Sequence, residues 1–421
     1  MNTEIHKWTT QSPDWWYDAV FYHILVDRFR RGGNQPLLGD PTNPVFCGGD
    51  LVGVVESLDY LRDLGITALW LSPINSTAAY HGYHITNYED VDKRFGGMAA
   101  FNALIKAAKP DIKIVLDWVP NHVHRTHPFF QQAAASNRSR FRDWFSFDVH
   151  GNHLCFLDFT ELPKLNLDHP EARKYMITTA LHWIDLGVDG FRLDHLVGPS
   201  LGFWREFQDA VKRHSPSTFL LGEATMMGVR YKDLKTLKIP RKHWHWLRSQ
   251  LRIPICAGVM REYAQILDGL LDFEFQRIVK THVAHPTHKP SLKNAQARLN
   301  AHYAKFPANC VLPAFLDNHD MNRFLYEAKS KKERLRLGAQ LQFQQRHPPV
   351  IYYGTEVGLN QSHSIVGPHG DLAARQMMPW KNQDKELFGF FRDLIHRRKE
   401  SARSHLFSGE ADDGICVNTL S

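Results

Sequence analysis

The sequence is poor in the features that mark several protein classes. It carries 5 cysteines in 421 residues, at positions 47, 155, 256, 310 and 416, with no C-x-x-C pair. An odd, scattered set of thiols excludes a disulfide framework and predicts free thiols in a reducing compartment. No stretch of about 18 apolar residues occurs, and the opening MNTEIHKWTTQSPDWWYD has no apolar run of signal-peptide length. A cytoplasmic protein with no membrane partner is the expectation. Neither glycine (27) nor proline (22) repeats with a period, which excludes collagen-like and low-complexity chains. Basic residues exceed acidic ones by 51 to 44, but they are dispersed. The densest cluster, Arg392 to Lys399, is interrupted by Asp393, Leu394 and Ile395 and reads as an amphipathic helix, so no nucleic-acid partner is expected.

What is present is a large apolar fraction, 43%, in a chain long enough for about 2.8 average domains. Eight short apolar runs recur along it: AVFYHILV (19–26), ITALWL (66–71), IKIVLDWV (112–119), VDGFRLD (188–194), TFLLGEA (218–224), GLLDFEF (269–275), VLPAFLDNHD (311–320) and PPVIYYG (348–354). Segments with helical spacing separate several of them, such as Val54 to Leu64 and Arg173 to Leu186. Strands alternating with helices predict a parallel sheet, and a count of eight favours a closed α/β (β/α)8 TIM barrel. An open doubly wound sheet would want a Gly-rich turn after the first run, and none is there. Residues 1–122 and 166–403 are assigned to the barrel. Residues 123–165, long and without clear periodicity, read as a small inserted subdomain, and 404–421 as a residual C-terminal segment, a truncated β-domain.

In such a barrel the chemistry sits at the C-terminal ends of the strands. Those ends carry Asp117, Asn121 and His122 on the third run, Arg192 and Asp194 on the fourth, and Glu223 on the fifth. The seventh carries Asp317, His319 and Asp320. Asp194, Glu223 and Asp320 thereby converge on one rim. Carboxylates held close together repel, so one tends to keep its proton while another stays ionised, as retaining glycoside hydrolysis requires. Arg192, two residues before Asp194, shares its face of the strand and favours its ionised form. A lone Asp at a strand end is commonly a turn or cap residue. Four signatures in barrel order are a stronger signal.

DWVPNH (117–122), GFRLD (190–194), LLGEA (220–224) and FLDNHD (315–320) resemble the four ordered regions of the α-amylase superfamily, glycoside hydrolase family 13. Residues 48–74, HGYHITNYEDVDKRFG (81–96), LPKLN (162–166) and PVIYYGTEVGL (349–359) add to the likeness, which spans about 15 to 400. The resemblance implies that Asp194 is the nucleophile, Glu223 the general acid/base and Asp320 the third carboxylate. It implies that Arg192 orients Asp194, that His122 and His319 bind hydroxyls of the sugar at the cleavage point, that Tyr83 stacks on its ring, and that Arg375 holds the non-reducing end. The substrate so implied is an α-1,4-glucan, maltooligosaccharide or cyclomaltodextrin. Transglycosylation, sucrose or trehalose conversion, and a catalytically silent binding barrel are the alternatives. The LPKLN form is closer to neopullulanases and cyclomaltodextrinases than to calcium-dependent amylases. Lys164 stands where a hard cation would need an anionic oxygen ligand, so no metal and no cofactor are expected. A reduced C-terminal β-domain would leave an apolar flank, from which association between copies is expected.

Overall fold

The computed structural model describes residues 14–16, 18–157, 159–225, 260–285, 290–307 and 310–408. The strands are β1 (Phe21–Ile24), β2 (Ala68–Leu71), β3 (Asn75–Thr77), β4 (Ile85–Val91), β5 (Lys113–Trp118), β6 (Cys155–Phe156) and β7 (Phe159–Pro163). They continue with β8 (Gly190–Leu193), β9 (Phe219–Gly222), β10 (Gly269–Leu270), β11 (Ala314–Phe315) and β12 (Pro349–Tyr352). Eight of them form one sheet in the order β10-β9-β8-β5-β2-β1-β12-β11, and every pairing in it is parallel. A parallel bridge from Gly269 to Val311 joins the two ends, so the sheet closes into a (β/α)8 barrel.

Period-two alternation explains what lies inside. Phe21, Ala68, Trp70, Val115, Phe219, Leu221, Phe315 and Val350 pack together in the barrel centre. Their strand neighbours Tyr22, Leu69, Ile114, Phe191 and Leu220 pack outward against the helices. The inner face turns polar one step further along each strand: Val115 is followed by Asp117, Leu221 by Glu223. Helix Leu201–His214 shows how the outer layer is specified. Ser200 caps it by accepting from Phe203 N at 3.2 Å, and Phe203, Trp204, Phe207 and Val211 form its buried stripe. Lys212, Arg213 and His214 fill its last turn and complement its dipole.

The sixth and seventh apolar runs are strand over only two residues each, 269–270 and 314–315. Residues 273–279 form a helix because Asp272 caps it, its carboxylate accepting from Phe275 N at 2.9 Å. Between β2 and β5 lies an antiparallel pair, β3 and β4, that alternation alone does not announce. Residues 123–165 hold helix Pro128–Ala135 and the antiparallel hairpin β6–β7. The final helix runs from Lys385 through Ser408, and residues 409–421 lie outside the described residues. Cys47, Cys155 and Cys310 are free thiols, while Cys256 and Cys416 fall outside the described residues. Among the described residues no helix is long and apolar enough to cross a membrane.

Candidate active site

Arg192 occupies the centre of the barrel mouth, fully buried. Asp117 and Arg192 are register partners on β5 and β8, so their side chains enter the same layer. Arg192 Nη1 donates to Asp117 Oδ1 at 2.8 Å and Oδ2 at 3.0 Å, and to Asp194 Oδ1 at 2.8 Å. Its Nη2 lies 2.7 Å from Glu223 Oε1. One guanidinium therefore gathers three carboxyl groups from three adjacent strands. Trp70 lies beneath it, ring centre 5.1 Å from the guanidinium carbon, and donates its indole N–H to Asp117 Oδ2 at 3.0 Å.

Glu223 is held from a second side by the backbone N–H of His195, 3.1 Å from Oε2. That approach requires His195 to adopt φ +48°, a left-handed conformation costing on the order of 1 kcal/mol for a non-glycine residue. Asp320 stands opposite. Its Oδ1 accepts from Arg375 Nη2 at 3.0 Å, and its Oδ2 lies 3.1 Å from His319 Nε2. Arg375 is fixed in turn by the carbonyl of His319 at 2.8 Å and by Asp371 at 2.6 Å.

The electrostatics separate the carboxyl groups. Burial pushes Asp194 well above the usual carboxylate range, opposed by Arg192 and reinforced by repulsion from Glu223, Asp117 and Asp320. Burial also raises Glu223, with Arg192 opposing and Asp320 adding to the shift. For Asp320, burial works against the charge, but His319 and Arg375 overcome it and hold the carboxyl well below its ordinary value. Asp320 thus stays ionised, while Asp194 and Glu223 compete for one cation.

Tyr83 donates its hydroxyl to Asp117 Oδ2 at 2.8 Å, and its ring lies parallel to His319 at 5.1 Å. His122 has both ring nitrogens engaged within the protein. Its Nδ1 accepts from Asn121 Nδ2 and its Nε2 donates to the carbonyl of Tyr83, each at 3.3 Å. Burial drives its pKa down to about 3, so it is neutral. The eight residues singled out from the sequence, Tyr83, His122, Arg192, Asp194, Glu223, His319, Asp320 and Arg375, all line this mouth or its walls. Asp317, at the end of the same strand run as Asp320, does not. Its carboxylate accepts from Phe324 N at 2.7 Å and Thr355 Oγ1 at 2.9 Å, a structural cap turned away from the cleft. The sequence reading passed over the pairing of Asp117 with Arg192, the backbone of His195, and Phe156, whose ring stacks on His122 at 4.7 Å and 24°. Register would have exposed the first; the other two depend on loop geometry.

Among the described residues, the donors around Asn121 do not suit a calcium ion. Asn121 Oδ1 is buried without a hydrogen-bond partner, and a Cβ on Gly198 would lie 2.0 Å from it. Lys164 Nζ donates to the carbonyl of Gly198 at 2.7 Å, placing an ammonium among these oxygens. Among the described residues no group of three His, Cys, Asp or Glu side chains is placed to hold a metal. A neutral amide beside a lysine does not fit a hard divalent cation.

A parallel eight-stranded barrel with carboxyl groups at three strand ends, gathered on one arginine, has the architecture of barrel proteins whose sites are built on paired carboxyl groups. Residues 23–154, 148–234 and 257–396 match the family described as Alpha amylase, catalytic domain. The chain belongs to the α-amylase family, glycoside hydrolase family 13. It is 33% identical over 395 residues to alpha-amylase 2 of Dictyoglomus thermophilum, which covers 92% of this chain and 64% of that protein. It is 31% identical over 420 residues to the intracellular maltogenic amylase of Bacillus subtilis, covering 93% and 63%. The chain thus spans less than two thirds of the length of these relatives. Among solved structures, the cyclic alpha-maltosyl-(1→6)-maltose hydrolase of Arthrobacter globiformis superposes with a TM-score of 0.77 at 28% identity, covering 93% of this chain and 86% of that one. That enzyme has also been solved with cyclic alpha-maltosyl-(1→6)-maltose and with maltose bound.

Proposed function

We propose that this protein is a retaining glycosidase acting on α-glucosidic bonds of α-1,4-glucans, maltooligosaccharides or cyclomaltodextrins. The observation that carries the reading is the single guanidinium of Arg192 touching both Asp194 and Glu223, which favours the close carboxyl spacing of double displacement over the wider spacing that leaves room for a water. Asp194 receives the aligned hydrogen bond from Nη1 and is the ionised partner. Burial raises both carboxyl groups and both touch Arg192, so the pair shares one proton. The mechanism assigns it to Glu223, which also accepts from the backbone N–H of His195, because an attacking Asp194 must be ionised.

A carboxylate oxygen of Asp194 attacks the anomeric carbon while the bond to the leaving oxygen breaks. Glu223 gives its proton to that oxygen. Water, or a sugar hydroxyl, then attacks the glycosyl ester as Glu223 takes back a proton, and Asp194 departs as carboxylate. Two inversions leave the anomeric configuration unchanged. Asp320, charged and fixed by His319 and Arg375, stabilises the positive charge that develops on the sugar ring. Arg375 holds Asp320 at 3.0 Å, in accord with a role in binding the sugar on the Asp320 side. The ammonium of Lys164 at the carbonyl of Gly198 supports a mechanism that draws on no calcium at that position. A cytoplasmic setting accords with the likeness to the intracellular maltogenic amylase of Bacillus subtilis.

The test is incubation with maltotriose, cyclomaltodextrin, pullulan, sucrose and trehalose, with Asp194→Asn alongside. The expected result is turnover of the first two and loss of activity, by about 10⁴-fold or more, in the variant. Absence of turnover on every sugar, or an active Asp194→Asn protein, overturns the reading. Products longer than maltotriose indicate transfer.

A further inference from the structure

Phe21 and His23 share the inner face of β1, with Phe21 in the apolar centre of the barrel and His23 one layer nearer the mouth. The register sets His23 between Trp70 of β2 and Tyr352 of β12, and His23 is fully buried there. Its ring lies flat on the indole of Trp70, centroids 3.7 Å apart and 8° from parallel. It meets His319 edge-on at 5.0 Å and 79°. Its Nε2 is 3.1 Å from the hydroxyl of Ser72, which follows Trp70 onto the same inner face. Its Nδ1 has no hydrogen-bond partner. A phenyl ring would fill this space without burying an unpaired nitrogen, so stability alone does not account for an imidazole here. Burial holds the ring well below the ordinary histidine pKa, and repulsion from His319 and Arg192 adds to the shift, so it is neutral.

From this placement we propose that His23 is a positioning residue that fixes the two halves of the site relative to one another. The inference rests on the glycosidase reading. On one side His23 acts through Trp70, whose indole N–H donates to Asp117 Oδ2 at 3.0 Å. The face of that indole lies beneath Arg192, the guanidinium that touches Asp194 and Glu223. On the other side it acts through His319, whose Nε2 lies 3.1 Å from Asp320 Oδ2. A neutral planar ring suits both contacts, because it stacks on the indole and adds no charge to compete with Arg192 for the carboxyl groups. Ser72 stops the ring from turning about its second side-chain torsion, which is otherwise loosely defined. Moving this ring shifts Arg192 against Asp320, and formation of the glycosyl ester needs both in place.

The experiment measures kcat, KM and melting temperature on maltotriose for variants of His23 and Ser72. In His23→Ala, kcat is expected to fall about 100-fold, the loss that a misplacement of about 1 Å causes, with KM within about twofold of the unaltered protein. His23→Phe keeps a stacked ring and loses only the bond to Ser72, so it should stay about 3- to 10-fold below the unaltered protein, the factor of one hydrogen bond. Ser72→Ala removes the same bond and should show the same loss. The double variant of His23→Phe with Ser72→Ala should be no slower than either single one, a coupling that a space-filling role would not produce. If His23→Ala does not fold, the other two variants and their combination carry the decision. Folded variants with unaltered kcat, a loss confined to KM, or single losses that multiply in the double variant overturn this inference and leave the glycosidase reading standing. An unaltered protein that turns over no sugar overturns both.

Discussion

Asp117 and Arg192 face each other across β5 and β8 as register partners, and Arg192 Nη1 lies 2.8 and 3.0 Å from the two oxygens of Asp117. Both side chains are buried from water. Asp117 does not face the sugar directly in this arrangement. It fixes the guanidinium that in turn touches Asp194 and Glu223, and it anchors Tyr83 and Trp70. These contacts fit a positioning role for Asp117 in the proposed mechanism. In Asp117→Asn, kcat is expected to fall about 100-fold, the order of loss that a misplacement of about 1 Å causes. Stability should fall by about 1–3 kcal/mol as a charged partner of a buried cation is lost. A rise in KM with kcat unchanged would contradict this assignment.

The fold was legible where periodicity and motif coincide. Arg192 and Asp194 lie on one face because strand side chains alternate, and Glu223 follows Leu221 onto the inner face for the same reason. Strand length was less legible. The run GLLDFEF looks extended throughout, yet Asp272 caps a helix that begins at Phe273, since a side-chain acceptor for the orphan N–H of Phe275 outweighs β-propensity. Asp317 and Asp320, three residues apart, were indistinguishable by type. The first caps helix Phe324–Glu327 and the second faces the cleft, and only the tertiary positions of Thr355 and Arg375 separate them. The left-handed backbone of His195 leaves no trace in residue type.

Acid should destabilise the protein through its buried histidines. Burial drives His122, His195 and His347 down to about 3 and His127 to about 4. Below the ordinary value near 6.5 the unfolded chain takes up protons that the folded chain refuses, so stability falls as pH falls through the window from about 6.5 toward 4. Each such group contributes about 1.4 kcal/mol per pH unit at full effect. The histidine contribution should therefore decline from pH 7.5 through 6.5 to 5.5. The raised Asp194 and Glu223 contribute in the opposite direction, so it is read as the difference in melting temperature between wild type and a histidine variant. His347 lies away from the cleft and accepts from Leu312 N at 3.3 Å, a bond that asparagine can reproduce. His347→Asn should make the decline shallower, and an unchanged slope would remove His347 from the account.

The ammonium of Lys164 beside Asn121 and Gly198 predicts indifference to calcium. Melting temperature and activity should be the same with calcium or with a chelator in excess. A stabilisation of several degrees by calcium would refute the assignment of that position to lysine. Lys164→Ala should lower the melting temperature by removing the donor to the Gly198 carbonyl, and calcium should not restore it.

Arg375 ties Asp320 to the loop carrying Asp371, with ion pairs of 3.0 and 2.6 Å. Its removal frees Asp320, the carboxylate to which the proposed mechanism gives the stabilisation of the developing charge. Arg375→Ala should lower kcat/KM on maltotriose by about 10²-fold, with Arg375→Lys recovering only part because one ammonium cannot reproduce the forked contact to His319, Asp320 and Asp371. Full activity in the alanine variant would show that His319 alone suffices to hold Asp320.

The central claim is that Asp194 attacks the anomeric carbon and carries the sugar through a covalent intermediate. The most direct measurement is labelling with 5-fluoro-α-glucosyl fluoride, in which the fluorine slows the second step, followed by intact mass and peptide mapping. The account predicts one fluoroglucosyl adduct per chain, on the peptide that contains Asp194, absent in Asp194→Asn. An active protein that forms no adduct, or one labelled on Glu223 or Asp320 instead, would contradict it.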